Sequence, residues 1–308
     1  MTPPFTPIEM KRKLVQQGAA TLMVSLPRRW IKQFNLKKGE EIEIQEQENT
    51  LLLSGKEVKV RKETELTLAN KTEAFIRFLI ISLYRAGYEK VTLRFEQEEQ
   101  FRIINQTIKN YLIGFDVVEK KKGYCVIENM TEPSPDQFEI ILQKILYNIK
   151  TMIGTTVERL EAKKPVMDYK EVLQNIHQYD NFCRRTLTKQ HNERAVYYWN
   201  FLSVIIHNSR DLYNLNKFLD NKKSTKASRE TINLLKNSTK LIEEIIKAYQ
   251  KKDIKELGEV DEKKKTLISR GFELLKKTRG NETEITHYII TSIRNLHRAT
   301  SPLLGLLL

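Results

Sequence analysis

The chain has 308 residues, and its 53 lysines and arginines exceed its 39 aspartates and glutamates, giving a formal net charge of +14. This length suits two or three domains, and the cationic excess favours a polyanionic partner such as a nucleic acid. Cys125 and Cys183 lie far apart without a CxxC motif, which excludes a disulfide scaffold and a cysteine-rich zinc module. We expect a cytoplasmic protein without a transmembrane segment, because neither a signal-peptide pattern nor a bilayer-length apolar run is present.

Residues 8–54 are predicted to form a small β-rich unit with one short helix. Gly18-Ala-Ala is a turn signal between two apolar runs, and Pro27 suits the first turn of a helix, where its missing N–H is harmless. The pattern predicts strands at 13–17, 22–26, 41–45 and 51–53 and a helix at 27–34. A unit of this size buries little surface alone, so we expect it to pair with a second copy.

Residues 56–130 alternate between helical and strand patterns, which predicts a small α/β module. The pattern predicts helices over 71–86 and 98–112 and strands at 91–95, 115–119 and 124–128. The module contains no phosphate-binding glycine signature, and the sequence leaves its role open.

Residues 134–308 carry helical periodicity almost throughout. Breaks divide this region into six long helices; they lie near 163–165, 191–192, 221–225, 251–253 and 280–281. Long helices with short connections favour antiparallel bundles, and their order predicts two copies of a three-helix unit, 134–221 and 225–308. The chain is therefore predicted to be a multidomain α+β protein.

The segment from residue 11 to 38 is strongly basic and contains no acid, whereas acids resume at Glu40. Its eight cations are Lys11, Arg12, Lys13, Arg28, Arg29, Lys32, Lys37 and Lys38. In a dimer they would neutralise several DNA phosphates and make binding strongly salt-dependent, and Thr21 offers a hydroxyl for a neutral contact. The alternative is that the cations form an ordinary solvated surface and that the unit only dimerises.

Residues 12–44 resemble the AbrB/SpoVT/MazE-type swapped-hairpin DNA-binding domain, and its archaeal branch in particular, most clearly in three stretches. They are Gly18-Ala-Ala-Thr21, Val24-Ser-Leu-Pro27-Arg-Arg-Trp30 and Leu36-Lys-Lys-Gly39-Glu40. The resemblance implies an intertwined homodimeric β-barrel that binds DNA through its basic face. Lys32 coincides with a basic helix position of the family, whereas Arg28 and Arg29 lie nearer the helix start. Some members of the superfamily bind protein toxins or only assemble.

The helical region resembles PhoU, a phosphate-signalling protein built from two three-helix bundles. The similar segments are Asp180–Arg185, Arg210–Asn214, Glu259–Lys263 and Arg294–Arg298. PhoU proteins carry acidic residues four apart that hold metal ions, but Arg184 and Lys263 stand here in place of the second acids. We therefore expect no metal cluster and no cofactor. Asp180–Arg184 and Glu259–Lys263 are expected to form i,i+4 ion pairs worth a few tenths of a kcal/mol each.

In a PhoU-like bundle, four arginines are candidates for an anion site: Arg184, Arg210, Arg294 and Arg298. The competing interpretation is that they belong to solvated helix faces, which is the usual place for arginine. The five histidines show no metal-ligand spacing, and no catalytic triad, carboxylate pair or phosphate loop is present, so we do not expect an enzyme.

Two functional hypotheses follow. In the first, the chain is a homodimeric transcriptional regulator, whose barrel binds DNA and whose helical region responds to phosphate uptake or a related signal. In the second, it is a PhoU-like adaptor that docks on a phosphate transporter or sensor protein and uses the barrel only to dimerise. The loss of DNA affinity without loss of regulation, after replacement of Arg28, Arg29 and Lys32, would favour the adaptor.

Overall fold

The computed structural model describes residues 10–47, 50–54, 61–131, 137–189, 192–222 and 227–308. The chain forms two compact units, Met1–Arg61 and Lys62–Leu308. The predicted region starts at residues 8, 56, 134 and 225 lie outside the described residues.

Within its described residues, the first unit contains two separate antiparallel hairpins and one short helix. In chain order its elements are β1 (Val15–Gln17), β2 (Thr21–Met23), α1 (Arg28–Gln33), β3 (Glu43–Gln47) and β4 (Thr50–Ser54). The first hairpin turns through Gly18, whose φ of +71° is readily adopted only by glycine. The strand predicted at 22–26 ends at Met23, because β1 offers only three residues to pair with. A closed barrel would need strands beyond these four, and it stays a prediction.

The second unit begins with a four-stranded sheet covered by two helices. Its elements are β5 (Glu63–Thr67), α2 (Glu73–Arg85), β6 (Lys90–Arg94), α3 (Glu98–Tyr111), β7 (Phe115–Lys121) and β8 (Tyr124–Asn129). The strand order is β5-β6-β8-β7, with β5 and β6 parallel and the other pairs antiparallel. Leu93, Ile104 and Ile127 lie in the core between the sheet and the helices.

Helices make up the rest of the second unit. They are α4 (Gln137–Leu160), α5 (Tyr169–Lys189), α6 (Ala195–Asn221), α7 (Arg229–Lys251), α8 (Lys255–Lys277), α9 (Asn281–Arg298) and α10 (Thr300–Leu307). The first five breaks agree with those predicted from the sequence. The last predicted helix is divided in two, because Pro302 has no N–H to donate to the carbonyl of Arg298.

One continuous apolar core holds these helices together. Helices α4, α5 and α6 pack on one another, as do α7, α8 and α9, and α4 also packs on α7 and α6 on α9. Leu142, Ile149, Leu241 and Ile293 are fully buried in the shared core. The helical character of the region is thus observed, whereas its division into two PhoU-like repeats stays a prediction.

The four-stranded sheet and its two covering helices, α2 and α3, are called the α/β layer below. This layer packs directly on helix α5 within the second unit. Helices α2 and α3 both contact α5. Arg185 Nη1 donates hydrogen bonds to the carbonyl oxygens of Tyr84 (2.9 Å) and Tyr88 (2.8 Å), and Lys189 pairs with Glu89. Buried guanidinium contacts of this kind join the layer to the helices through polar as well as apolar surface.

Candidate nucleic-acid interface and buried arginine cluster

The predicted DNA-binding residues occupy three adjacent stretches of the first unit. Three cations precede β1, three lie on α1, and two follow α1: Lys11, Arg12 and Lys13; Arg28, Arg29 and Lys32; Lys37 and Lys38. All eight side chains are exposed, as is that of Thr21 on β2. None of the eight cations forms an ion pair with another described residue, so their charges remain available to an external anion.

Helix α1 separates its cations from its apolar side chains. Successive residues turn by about 100° around a helix, so its three cations share one side of its circumference. Trp30, Ile31 and Phe34 fall on the opposite side and are half-buried, with the two aromatic rings 5.4 Å apart. The apolar side therefore faces the body of the unit and the cationic side faces solvent.

The charge of the first unit changes sign at a defined turn. The backbone N–H of Lys37 donates to Oε2 of Glu40 at 2.9 Å, and Gly39 adopts a φ of +88° between them. Glu40 thus closes the turn, and the exposed acids Glu41 and Glu43 follow it. The cations before this turn are consequently separated from the acids of β3 along the chain.

The first unit exposes most of its apolar side chains. Among the residues between 10 and 54 whose side-chain exposure the structure describes, none is buried, and Leu14, Leu22, Ile44 and Leu51 are 58–64% exposed. Exposed apolar surface of this kind, on so small a unit, is typical of a region that is covered by a partner.

The four arginines of the predicted anion site occupy different environments. Arg184 is buried, Arg210 is exposed on α6, and Arg294 and Arg298 are exposed on α9. The guanidinium of Arg294 lies 5.1 Å from the ring of Phe272, and that of Arg298 contacts only its own helix within the described residues. No hydrogen bond or ion pair described in the structure links the α9 arginines to the other two. The four-arginine site stays a prediction without such support.

The predicted Asp180–Arg184 ion pair is confirmed, but its environment was predicted wrongly. Arg184 Nε donates to Asp180 Oδ1 at 2.8 Å, and the two side chains are only 6% and 1% exposed. A value of a few tenths of a kcal/mol applies to solvated helix pairs and does not apply to this buried one. The guanidinium also lies 4.7 Å from the ring of Trp199, so the aromatic residue covers the pair.

Arg85 joins the buried pair of Asp180 and Arg184 to form a cluster, and the sequence did not predict its part in it. Its Nη2 donates to Asp180 Oδ2 at 2.7 Å and its Nε to Asn181 Oδ1 at 2.8 Å. Burial lowers the pKa of Arg85, Asp180 opposes this shift, and the neighbouring Arg184 and Arg210 add to it. Burial likewise raises the pKa of Asp180, against the effect of the surrounding arginines. The contact between Arg85 and Asp180 joins residues 95 positions apart, so no local sequence motif could predict it.

The second predicted ion pair has the exposed character expected of it. Lys263 Nζ lies 3.7 Å from Glu259 Oε2 on α8, and Glu259 is 64% exposed. Lys263 makes its shorter contact with Glu244, at 2.8 Å. The two pairs, which look equivalent in the sequence, therefore differ in burial.

The histidine, cysteine and acidic side chains of the described residues offer neither a metal site nor a reactive thiol. Nowhere in the described ranges do three or more histidine, cysteine or acidic side chains come together in a way that could hold a metal ion. Both cysteines are fully buried, and burial raises the pKa of the Cys125 thiol to about 11. Such thiols are protonated at neutral pH and are poor nucleophiles. Across the same ranges, no helix has the length and apolar character needed to cross a membrane.

Comparison with known proteins relates the N-terminal part of the chain to a family. A family model described as antidote-toxin recognition MazE, bacterial antitoxin, matches residues 15–65. No curated protein and no solved structure matches the chain. The match begins at β1 and ends within β5, and it supports an AbrB-like domain at the N-terminus. It does not reach the helical region, whose resemblance to PhoU stays a prediction.

Proposed function

We propose that this chain is a DNA-binding transcriptional regulator that acts as a homodimer through its N-terminal unit. The observation that carries the proposal is the acid-free segment 11–38, whose eight cations are all exposed in the unit that the MazE family model matches. The helical region is proposed to respond to a signal connected with phosphate uptake; this part rests on its resemblance to PhoU alone.

The charge distribution favours DNA over other partners of the N-terminal unit. A dimer would present sixteen cations from this segment, and the cationic side of α1 is free of acids. Phosphate contacts supply most of the affinity for nucleic acid and position the protein on the duplex. Thr21 and the arginines of α1 are the side chains proposed to reach base edges or phosphates.

Dimerisation follows from the apolar surface of the same unit. Leu14, Leu22 and Leu51 are each more than 60% exposed, and the two hairpins form separate two-stranded sheets. Two-stranded hairpins are only marginally stable on their own, and a second copy would supply both the missing strands and the cover for the exposed apolar side chains.

Sedimentation velocity is expected to give a dimer for the full chain and a shift toward monomer for Leu22→Asp. Ile140→Asp on α4, where the side chain is 57% exposed, serves as control and should not change the mass.

DNA binding is tested by fluorescence anisotropy of the full-length protein on a labelled random duplex at increasing salt. The test variant replaces Arg28, Arg29 and Lys32 by glutamine. Its control replaces three exposed lysines of the helical region by glutamine and removes the same charge: Lys217, Lys276 and Lys277. Each neutralised phosphate contributes about 0.9 to the slope of log K against log salt, so the loss of six contacts per dimer lowers that slope by about 5.

The control should keep the slope of the unmodified protein, because its lysines lie outside the proposed interface. Salt-independent binding by the unmodified dimer, or equal losses in both triple variants, would refute the proposal. A monomeric full chain would refute the dimer.

The description of the matching family model gives a second candidate function. It names the recognition of a toxin by its antidote, so the N-terminal unit could bind a partner protein as well as DNA. A partner protein that co-purifies with the full chain but not with the variant of Arg28, Arg29 and Lys32 would bind the cationic side of α1. A partner retained by that variant would bind another surface. The PhoU-like adaptor remains the alternative if regulation survives the loss of DNA affinity.

A further inference from the structure

A small cavity lies within the second unit, where the α/β layer meets the helices. It measures about 150 Å³ and is lined from α2, α3, α5 and α6. Its polar lining includes Arg85, His177, Asn181 and Arg210. Pockets for drug-sized ligands measure about 300–1,000 Å³, so this cavity suits a group of a few heavy atoms and is too small for a nucleotide.

The surroundings of the cavity carry more positive than negative charge. The carboxylate of Asp180 accepts from Arg85 at 2.7 Å and from Arg184 at 2.8 Å, and Arg210 lies close enough to affect both Arg85 and Asp180. Two guanidinium groups therefore share one carboxylate, and a third, that of the exposed Arg210, lies nearby. The three cations and one carboxylate leave a net charge of +2, and the part carried by the partly buried Arg85 is costly unless an anion neutralises it.

Two polar groups of the cavity lining lack a partner among the described residues. Nε2 of His177 is buried without a hydrogen bond, although buried polar atoms almost always have one. Among the described residues, Arg210 forms neither a hydrogen bond nor an ion pair. Asn181, one helical turn after His177, already donates to the carbonyl of Tyr111 at 2.9 Å and accepts from Arg85. The buried Nε2 of His177 and the exposed guanidinium of Arg210 thus stand on α5 and α6 around the same space.

We propose that this cavity binds a small oxyanion with about two negative charges at neutral pH, of the inorganic phosphate or sulfate type. The guanidinium fork of Arg210 pairs with two oxygens of the anion, and Arg85 supplies the second positive charge. His177 donates from Nε2 to a further oxygen. The site shares Arg210 with the four-arginine site predicted from the sequence, and it takes its other members from α2 and α5 instead of α9. It does not depend on DNA binding by the N-terminal unit.

The proposal is tested by isothermal titration calorimetry of the full-length protein with inorganic phosphate, at constant ionic strength set with sodium chloride. A parallel titration uses sulfate, which shares the tetrahedral shape. The test variant is Arg210→Gln, and the matched control is Arg270→Gln, which replaces an exposed arginine of α8 that does not line the cavity. Arg210 makes no described contact that its replacement would break, so the variant should fold normally.

Saturable binding of phosphate, sulfate or both is expected, with an affinity at least tenfold weaker in Arg210→Gln and unchanged in Arg270→Gln. In proton NMR, the anion should also raise the pKa of His177, whose signal is assigned from His177→Gln. Should Arg210→Gln fail to fold, Arg210→Lys keeps the charge but loses the fork, and an intermediate affinity is expected. The absence of saturable binding, or an equal loss in the Arg270 control, would overturn the proposal.

Discussion

Replacing Asp180 by asparagine is expected to destabilise the second unit strongly. Asp180 is 1% exposed and pairs with Arg85 on one oxygen and Arg184 on the other. Asparagine keeps the shape but loses the charge, so the buried guanidinium of Arg184 loses its ion-pair partner. Removal of one member of a buried pair costs about 3–5 kcal/mol. The side chain of Arg85 is 31% exposed and can gain water, which places the expected loss near the lower end.

Glu259→Gln is the matched comparison, because it removes the first acid of the other i,i+4 pair. Glu259 is 64% exposed, and Lys263 keeps its shorter contact with Glu244. The expected loss in the free energy of unfolding is below about 0.5 kcal/mol.

Urea unfolding of both variants is followed by far-UV circular dichroism and by the fluorescence of Trp199, in a Trp30→Phe background that leaves one tryptophan. The ring of Trp199 lies 4.7 Å from the guanidinium of Arg184, so its emission reports on the region that is perturbed. If the two variants lose the same free energy within about 0.5 kcal/mol, the burial argument is wrong.

Two further perturbations test particular features of the second unit. Burial and the nearby Arg210 lower the pKa of His177 from 6.5 to about 4, so protonation favours the unfolded chain, and the free energy of unfolding should fall by about 2 kcal/mol between pH 7 and pH 5. His177→Gln should lack that part of the pH dependence, measured by urea unfolding at each pH. Gly114→Ala should cost about 1–3 kcal/mol more than Gly123→Ala, because both glycines have a φ of +82° but only at Gly114 would a Cβ collide with the carbonyl of Thr131. Equal losses in thermal unfolding would contradict this.

The elements that the sequence predicts well are those with local signals. Helices α4 to α9 follow from apolar periodicity and from breaks at polar or proline-containing connections, which act within a few residues. Strand β5 escapes prediction because it is an edge strand whose partly buried residues are only Thr64 and Leu66, so it lacks an apolar run. The break before α10 has a local cause in Pro302, but it was not predicted because the apolar periodicity continues across it.

The two candidate sites also differ in whether their residues are neighbours along the chain. The cations of residues 11–38 are visible in the sequence because they are neighbours along the chain, and the family match falls on the same stretch. The cavity could not be predicted from the sequence, because Arg85, His177 and Arg210 come from three helices that only the packing brings together. An i,i+4 spacing also predicts that Asp180 and Arg184 pair, but burial depends on what α2 and α6 place over them.

Helix α5 links the two parts of the second unit through consecutive buried polar residues. Asp180, Asn181 and Arg185 bond to the α/β layer, whereas Arg184 reaches Ser203 on α6 at 3.2 Å. Arg85 belongs both to this junction and to the lining of the cavity. An anion that engages Arg85 therefore shares one guanidinium with Asp180, and any anion binding energy gained there is coupled to the contact between the α/β layer and α5. By linkage, the junction must then affect the affinity for the anion by the same free energy.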